Sequence, residues 1–268
     1  MIDLPYAGLD TETTGVDAAR DRIVQLAIVH GGDASCVESS TLFNPGCPIP
    51  AEAAEVHGIT DADVAEAPAF ADAADNFCRL TLGRVLVGYN LRRFDKPLCV
   101  AELERVGRFC WDPDVIDVCD FVSWHERHLP RKLGEAAERR GVPTGRAHSA
   151  LDDVRTCLGV WGHMQREGLI PDDTAAAVAE NRRIAKILDA EFDRFGWYLY
   201  VRDNIARLGF GQYRGQPLEA IARRRGDYLD HMLRKAGREM PPEVRQAFSD
   251  ARAKRSVDYL LAPAAEAS

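Results

Sequence analysis

Three short apolar runs, at 5–11, 22–30 and 35–43, open the chain, each with the length and side-chain mix of a strand. Gly31, Gly32 and Asp33, between the second and third, are hairpin-grade turn residues. NPGCPIP (44–50) predicts a loop, and beyond it the period lengthens to that of helices. Thr60 with Asp63 three residues later predicts a capping box on a short helix, and an amphipathic helix follows from Pro68 to about Leu82. RVLVGYN (84–90) predicts a buried strand and then a helix through Gly107, and 114–122 a strand running into a helix. Two more helices are predicted at about 131–140 and 149–167. Strands first, then strands alternating with helices, predict an α/β domain built on a mixed sheet. REGLIPDD (166–173) predicts a domain boundary. After it come a helix of roughly 20 residues, the apolar stretch WYLYV at 197–201, a Gly-rich stretch at 208–218 and two or three helices. APAAEAS at the end reads as a frayed tail.

Composition narrows the class without choosing a function. The 268 residues are 46% hydrophobic and 28% charged, which excludes a disordered chain and leaves room for a catalytic domain with an appendage. No apolar run approaches a membrane span, and MIDLPYAGLD has the look of neither a signal peptide nor an anchor, so a soluble cytoplasmic protein is expected. The cysteines, seven in number and without a CxxC pair, argue against a zinc ribbon or a disulfide framework and for core filling in a reducing cytosol. His125 and His128 in WHERH have no acid or cysteine cluster behind them and are not read as a metal site. The net charge of −8 is uneven. Residues 1–170 carry 17 basic and 27 acidic side chains, and residues 171–268 carry 17 and 15. An acidic front half suits a site that concentrates divalent cations, and a mildly basic back half suits phosphate contact.

The acids that matter sit at element ends. In LDTETTG (9–15), a strand continuing through Glu12 puts Asp10 and Glu12 on one face and Thr11 on the other. Two neighbouring carboxylates repel, so the pair calls for a cation or open water. GYNLRRFD places Asn90 at a strand end and Asp95 in the first turn of the next helix. HSALDD places His148 just before a helix, with Ser149 and Asp152 spaced as a capping box. Asp152 shares a face with Arg155 and Arg166, whereas Asp153 lines up with Ala150, Cys157 and Val160 on an apolar face. Asp153 is therefore the functional candidate and Asp152 the structural one.

LDTETTG, N…FD and H-x-A-x-x-D in this order resemble the DEDDh family of 3′→5′ exonucleases, over about residues 5–165. VHGIT (56–60) is similar to a segment this family carries between its first two motifs. The resemblance implies a ribonuclease-H-like α/β fold with a central mixed five-stranded sheet flanked by helices. It implies two divalent ions, Mg²⁺ or Mn²⁺, on Asp10, Glu12, Asp95 and Asp153, with His148 as catalytic base. Thr13, Thr14, His57, Asn90 and Phe94 fall at positions expected to touch substrate. Asn90 and Phe94 stand one residue further apart than in many members. The implied activity is release of nucleoside monophosphates from single-stranded DNA 3′ ends, with a polymerase or repair protein as partner and no membrane. An RNA-trimming exonuclease and a catalytically silent binding module are the rivals.

The back third resembles a small module found after the exonuclease domain in exonuclease X-like proteins, with Gln212 and Gln216 where lysines are usual. The expected division is an exonuclease domain at 1–168, a connecting helix at 169–200 and a small α+β accessory module at 201–262. Arg207, Arg214 and Arg223–Arg225 would supply charge to nucleic acid, and Phe210 and Tyr213 would stack on bases.

Overall fold

The computed structural model describes residues 4–32, 37–236 and 239–261. Asp33 of the expected turn, the start of the expected third strand (35–36) and the 262–268 tail lie outside the described residues. The rest fall into two compact units: the chain up to His125 with Arg131–Arg182, and Glu126–Pro130 with the chain from Arg183 on.

The first unit is the expected mixed sheet. Its strands are β1 (Tyr6–Thr13), β2 (Ile23–Gly31), β3 (Glu38–Leu42), β4 (Val85–Gly88) and β5 (Val115–Asp117), in the order β3-β2-β1-β4-β5. β1, β2 and β3 pair antiparallel, whereas β4 runs parallel to β1 and β5 parallel to β4. Among the described residues seven helices belong wholly to this unit: α1 (Ala51–His57), α2 (Asp61–Val64), α3 (Phe70–Thr81), α4 (Asp95–Arg105), α5 (Val118–His125), α6 (Leu133–Glu138) and α7 (Ala150–Arg166). The carboxylate of Asp63 accepts from the backbone N–H and hydroxyl of Thr60, so the α2 capping box forms as its spacing predicts.

β5 is only three residues long, because Asp117 ends it. Its carboxylate accepts the Cys119 N–H and so caps α5, turning the apolar run 118–122 into helix rather than strand. One face of the sheet packs Ala7, Leu9, Ile28 and Leu86 against Phe70, Phe77, Leu98 and Leu103. The other carries α7, which sets Ala150 and Val154 on Ala27. Gly8 makes that approach possible, since a Cβ there would meet Val154 at 2.7 Å and Leu158 at 3.0 Å. This contact brings the start of α7 down onto the strand carrying the paired acids.

α8 (Thr174–Phe195) runs through the division between the units, which falls at Arg182, within the expected connecting segment at 169–200. The reason lies in its first turns. Ala177 and Val178 are buried, and buried Asn181 accepts the Asp117 N–H at 2.9 Å.

The second unit adds β6 (Leu199–Arg202) and β7 (Ile205–Leu208), an antiparallel hairpin whose turn residues Asp203 and Asn204 have φ of 52° and 55°. Two consecutive left-handed residues make the tight turn that matches strand twist, and Asp and Asn tolerate it. β7 was hidden in the sequence because only Ala206 and Leu208 of its four residues are buried. Three helices follow, α9 (Leu218–Arg224), α10 (Gly226–Ala236) and α11 (Pro242–Arg252), around a core of Phe195, Leu208, Ile221, Leu229 and Phe248. Among the described residues no helix is long and apolar enough to cross a membrane.

Candidate active site

β1 presents Asp10 opposite Ala27 and Glu12 opposite Gln25, so the two acids share a face as alternation predicts. α7 lowers Asp153 onto them. One carboxylate oxygen from each of Asp10, Glu12 and Asp153 lies within 4.8 Å of the others, the one such group of potential metal ligands among the described residues. Neither His125 nor His128 belongs to a group of this kind. Gln25 braces the arrangement, its side-chain oxygen accepting the N–H of Ala150 at the head of α7.

Asp95 reaches the same neighbourhood from the start of α4. It is fully buried, and its Oδ1 accepts both the Thr11 N–H at 2.9 Å and the Thr11 hydroxyl at 2.6 Å. β1 pairs with β4 only through Gly8, so the edge of β1 beyond it is open and Asp95 occupies it. Thr11, which faces away from the acid pair, is thus the residue that fixes Asp95.

Such crowding has a clear electrostatic signature. Burial, then the charges of Asp95, Glu12 and Asp153, hold Asp10 well above the usual carboxylate range. Burial followed by Asp153 and Asp95 pushes Glu12 up to about 7. Burial raises Asp95 to about 7 against the opposing pull of the Thr11 hydrogen bonds, and burial raises Asp153 against the His148 N–H. A divalent cation reverses this logic by favouring the ionised forms. Partly buried, mutually repelling oxygens fit hard cations of the Mg²⁺ class.

His148 is exposed, adopts φ 60°, and donates its backbone N–H to Asp153 Oδ2 at 3.0 Å. The Ser149–Asp152 capping box does not form. Ser149 occupies the N-cap position without a side-chain bond, and Asp152 instead accepts the Arg146 N–H at 3.0 Å and pairs with Arg155 at 3.3 Å. The loop before α7 folds back over the helix start, so each adjacent acid takes a loop N–H rather than a cap. Asp152 remains a structural residue by a different route.

The other candidates separate. Thr14 has its hydroxyl committed, donating to Asp21 at 3.0 Å and accepting the Arg22 N–H, and Thr13 donates to the Gly15 carbonyl. Both shape the turn after β1. Asp21 lies so close to Gly15 that a Cβ there would sit 2.5 Å from its carboxylate. Asn90 is exposed at φ 62°, donates its N–H to Asp117, and leaves its side chain at the surface, whereas Phe94 is half-buried against the core. His57 is buried, and its Nδ1 accepts the Ile59 N–H at 3.0 Å. A neutral ring bonded in that way carries its proton on Nε2, a buried donor with no well-aligned hydrogen bond. Burial lowers the His57 pKa, with the Thr13 backbone opposing and His148 adding to the shift.

Sequence reading missed Thr11, Gln25 and the buried group Asp117, Asp120 and Asn181. Asp117 accepts the N–H groups of Asn90 and Arg92, which fixes the loop leading to Asp95, and Asp120 pairs with Arg92 at 3.0 Å. Strand alternation offered a signal for Thr11, the odd residue between the acids; nothing local marked the others.

In the second unit the expected stacking rings have internal partners. Phe210 meets Tyr198 edge-on at 5.4 Å and Tyr213 meets Tyr228 at 4.8 Å. Arg207 and Arg214 donate to loop carbonyls at Gly215, Gly209 and Leu129.

A mixed sheet whose first strand and last flanking helix bring carboxylates together defines a nuclease of the DEDD type. The RNase_T family model, described as exonuclease, matches residues 8–161, and the chain belongs to this family of divalent-metal-dependent 3′→5′ exonucleases. It is 30% identical over 163 residues to the DNA polymerase III subunit epsilon of Treponema pallidum, covering 59% of this chain and 75% of that one. It is 33% identical over 174 residues to an uncharacterized exonuclease of Escherichia phage 186, covering 60% and 88%. The fold is similar to that of E. coli exonuclease I in complex with a dA16 oligonucleotide, with TM-score 0.58 and 16% identity, covering 89% of this chain and 61% of that one. The chain thus spans under two thirds of that exonuclease.

Proposed function

We propose that the protein removes nucleoside monophosphates from the 3′ ends of single-stranded DNA by two-metal hydrolysis, using Mg²⁺ or Mn²⁺. The observation that carries this is the convergence of the Asp10, Glu12 and Asp153 oxygens within 4.8 Å, in surroundings that raise all three carboxyl pKa values. Bound cations supply the charge that lets these groups ionise together and that makes water a better nucleophile. Asp10, Glu12 and Asp153 hold the metal, and Asp95 contributes from the Thr11 side. His148, exposed at the head of α7 and anchored to Asp153, takes the proton of the attacking water, a role typically worth about 10²–10⁴ in rate. The Nε2–H of His57, which makes no well-aligned hydrogen bond, suits a hydrogen bond to the terminal nucleotide. DNA is favoured over RNA because the epsilon relative belongs to a DNA polymerase and the similar fold was captured with a dA16 oligonucleotide. The same relative supports a polymerase as partner.

Digestion of 5′-labelled DNA and RNA strands of one sequence, with Mg²⁺, Mn²⁺ or EDTA, tests this. The expected result is a ladder shortening from the 3′ end, faster on DNA and absent in EDTA. Equal or faster trimming of RNA would overturn the substrate, and turnover in EDTA would overturn the metal.

The adjacent acids give a sharper check. Asp153→Asn loses at least 100-fold in nucleotide release, because its charge faces the metal. Asp152→Asn stays within about twofold and costs less than about 1 kcal/mol in urea unfolding, since an amide oxygen still accepts the Arg146 N–H and the Arg155 pair is exposed. The opposite ranking would place Asp152 in the site.

A further inference from the structure

A cavity of about 640 Å³ in the second unit is lined by Arg223, Arg252, Lys254 and Arg255, with Glu219 as its one acid. We propose that it is a phosphate-binding subsite for a polynucleotide strand, which rests on the nuclease reading above. Ala222 and Ala251 form its apolar wall, and Ser256 adds a hydroxyl. Among the described residues no aromatic ring lines it, so a base finds nothing there to stack on, and the strand's sugar-phosphate backbone is the part that fits.

The arginines are held in place from outside the cavity. Arg252 pairs bidentately with Asp230, at 2.8 Å for both bonds, which uses two of its five N–H donors. Its guanidinium lies against Gly226, where a Cβ would sit 2.2 Å from Nη1, so the bare first residue of α10 lets it take this position without a shift. Arg255 donates Nε–H to Asp250 at 2.8 Å. Asp250 is itself fixed by Gln246 and the Tyr259 hydroxyl, and both terminal nitrogens of Arg255 have no part in that bond. Guanidinium groups oriented by carboxylates behind them lose less freedom when they bind an anion.

Helix-dipole compensation accounts for Arg223 and Arg252, which stand in the last turns of α9 and α11. It does not account for Lys254 and Arg255, which lie beyond the end of α11. Lys254 is exposed at φ 58°, and its ammonium makes no ion pair among the described residues. Arg223 is only loosely engaged, 3.8 Å from Glu219. These two cations are the ones free to meet phosphate at no structural cost.

The test uses the full chain in EDTA, which stops turnover, and a fluorescein-labelled oligothymidylate of about 20 nucleotides, longer than a typical single-strand site. Binding is followed by anisotropy across a salt series. The double variant Arg223→Gln/Lys254→Gln is expected to bind 3- to 10-fold more weakly at low salt. Its log–log salt slope should be shallower by about 1.4, or about 0.7 for each lost phosphate contact. Both side chains are exposed, and an unchanged melting temperature shows that the fold is kept. Wild-type affinity and slope in the folded variant would overturn the subsite while leaving metal-dependent trimming, measured separately on the wild type, untouched. Thymidine monophosphate provides the second arm. If it displaces the strand from the wild type at micromolar concentration but not from the double variant, the cavity is a mononucleotide site and the strand assignment falls.

Discussion

Asp10→Asn abolishes metal-dependent hydrolysis and yet raises the melting temperature of the metal-free protein at pH 8. Both effects come from the same crowding. Asp10 is one of three acids whose oxygens lie within 4.8 Å, and three of its neighbours push its carboxyl pKa upward on top of burial. Without metal, each ionised carboxylate opposes folding, and the isosteric amide removes one charge without opening a cavity. The pH dependence has a definite sign. Glu12 and Asp95 titrate at about 7 in the fold, against ordinary values of 4.5 and 3.8. Their contribution to stability is complete below about 4 and is lost as pH rises through about 7. The metal-free wild type should therefore melt progressively lower from pH 5 to pH 8. Asp10→Asn, lacking one raised carboxyl, should show a shallower fall, and saturating Mg²⁺ should flatten the wild-type profile by binding the ionised forms. Scanning calorimetry across that range, with and without metal, measures all three slopes. Retained hydrolysis above a few per cent would remove Asp10 from the site, and a lower melting temperature for the variant at pH 8 would show that its carboxylate is already compensated in the metal-free protein.

Much of this centre could be read from sequence, because three of its acids obey simple periods. Alternation along a strand places Asp10 and Glu12 on one face, and the 3.6-residue repeat puts Asp153 with Ala150 and Cys157 on the apolar side of α7. Asp95 needed family resemblance, since nothing in its own helix points to Thr11, 84 residues earlier. The Ser149–Asp152 box illustrates the opposite failure. Its spacing is correct for a cap, but the loop at 145–148 offers backbone donors to both acids, and a local rule cannot foresee a competing loop. The switch from strand to helix within 114–122 was legible, but the residue at which it falls was not. A run of β-branched and apolar residues favours a strand until the Asp117 carboxylate caps a helix at the third residue.

The second large effect concerns where the catalytic unit ends. The motifs finish at Asp153 and α7 at Arg166, so a chain stopping after Gly168 retains every candidate catalytic side chain. Such a chain nevertheless should be inactive and melt at least 10 °C lower than one stopping after Arg182, a span of several kcal/mol for a unit this size. The missing segment carries Ala177, Val178 and Asn181, all buried. Asn181 accepts the Asp117 N–H and reaches Asp120 at 3.4 Å, and without it a buried donor is stranded at about 1–3 kcal/mol. The damage reaches the site through Asp117, which grips the backbone of Asn90 and Arg92 at 2.8 and 3.0 Å and so sets the loop that delivers Asp95. Hydrolysis of a nitrophenyl ester of thymidine monophosphate, which asks only for the metal site, compares the two chains without involving longer strands. Asn181→Ala in the full chain isolates the connection from the loss of helix. It should remain folded, lose part of its melting temperature, and turn the ester over at least 5-fold more slowly, as expected for misplacement rather than removal of a ligand. Wild-type turnover by both Asn181→Ala and the chain ending at Gly168 would mean that the Asn90–Asp95 loop holds its shape without α8.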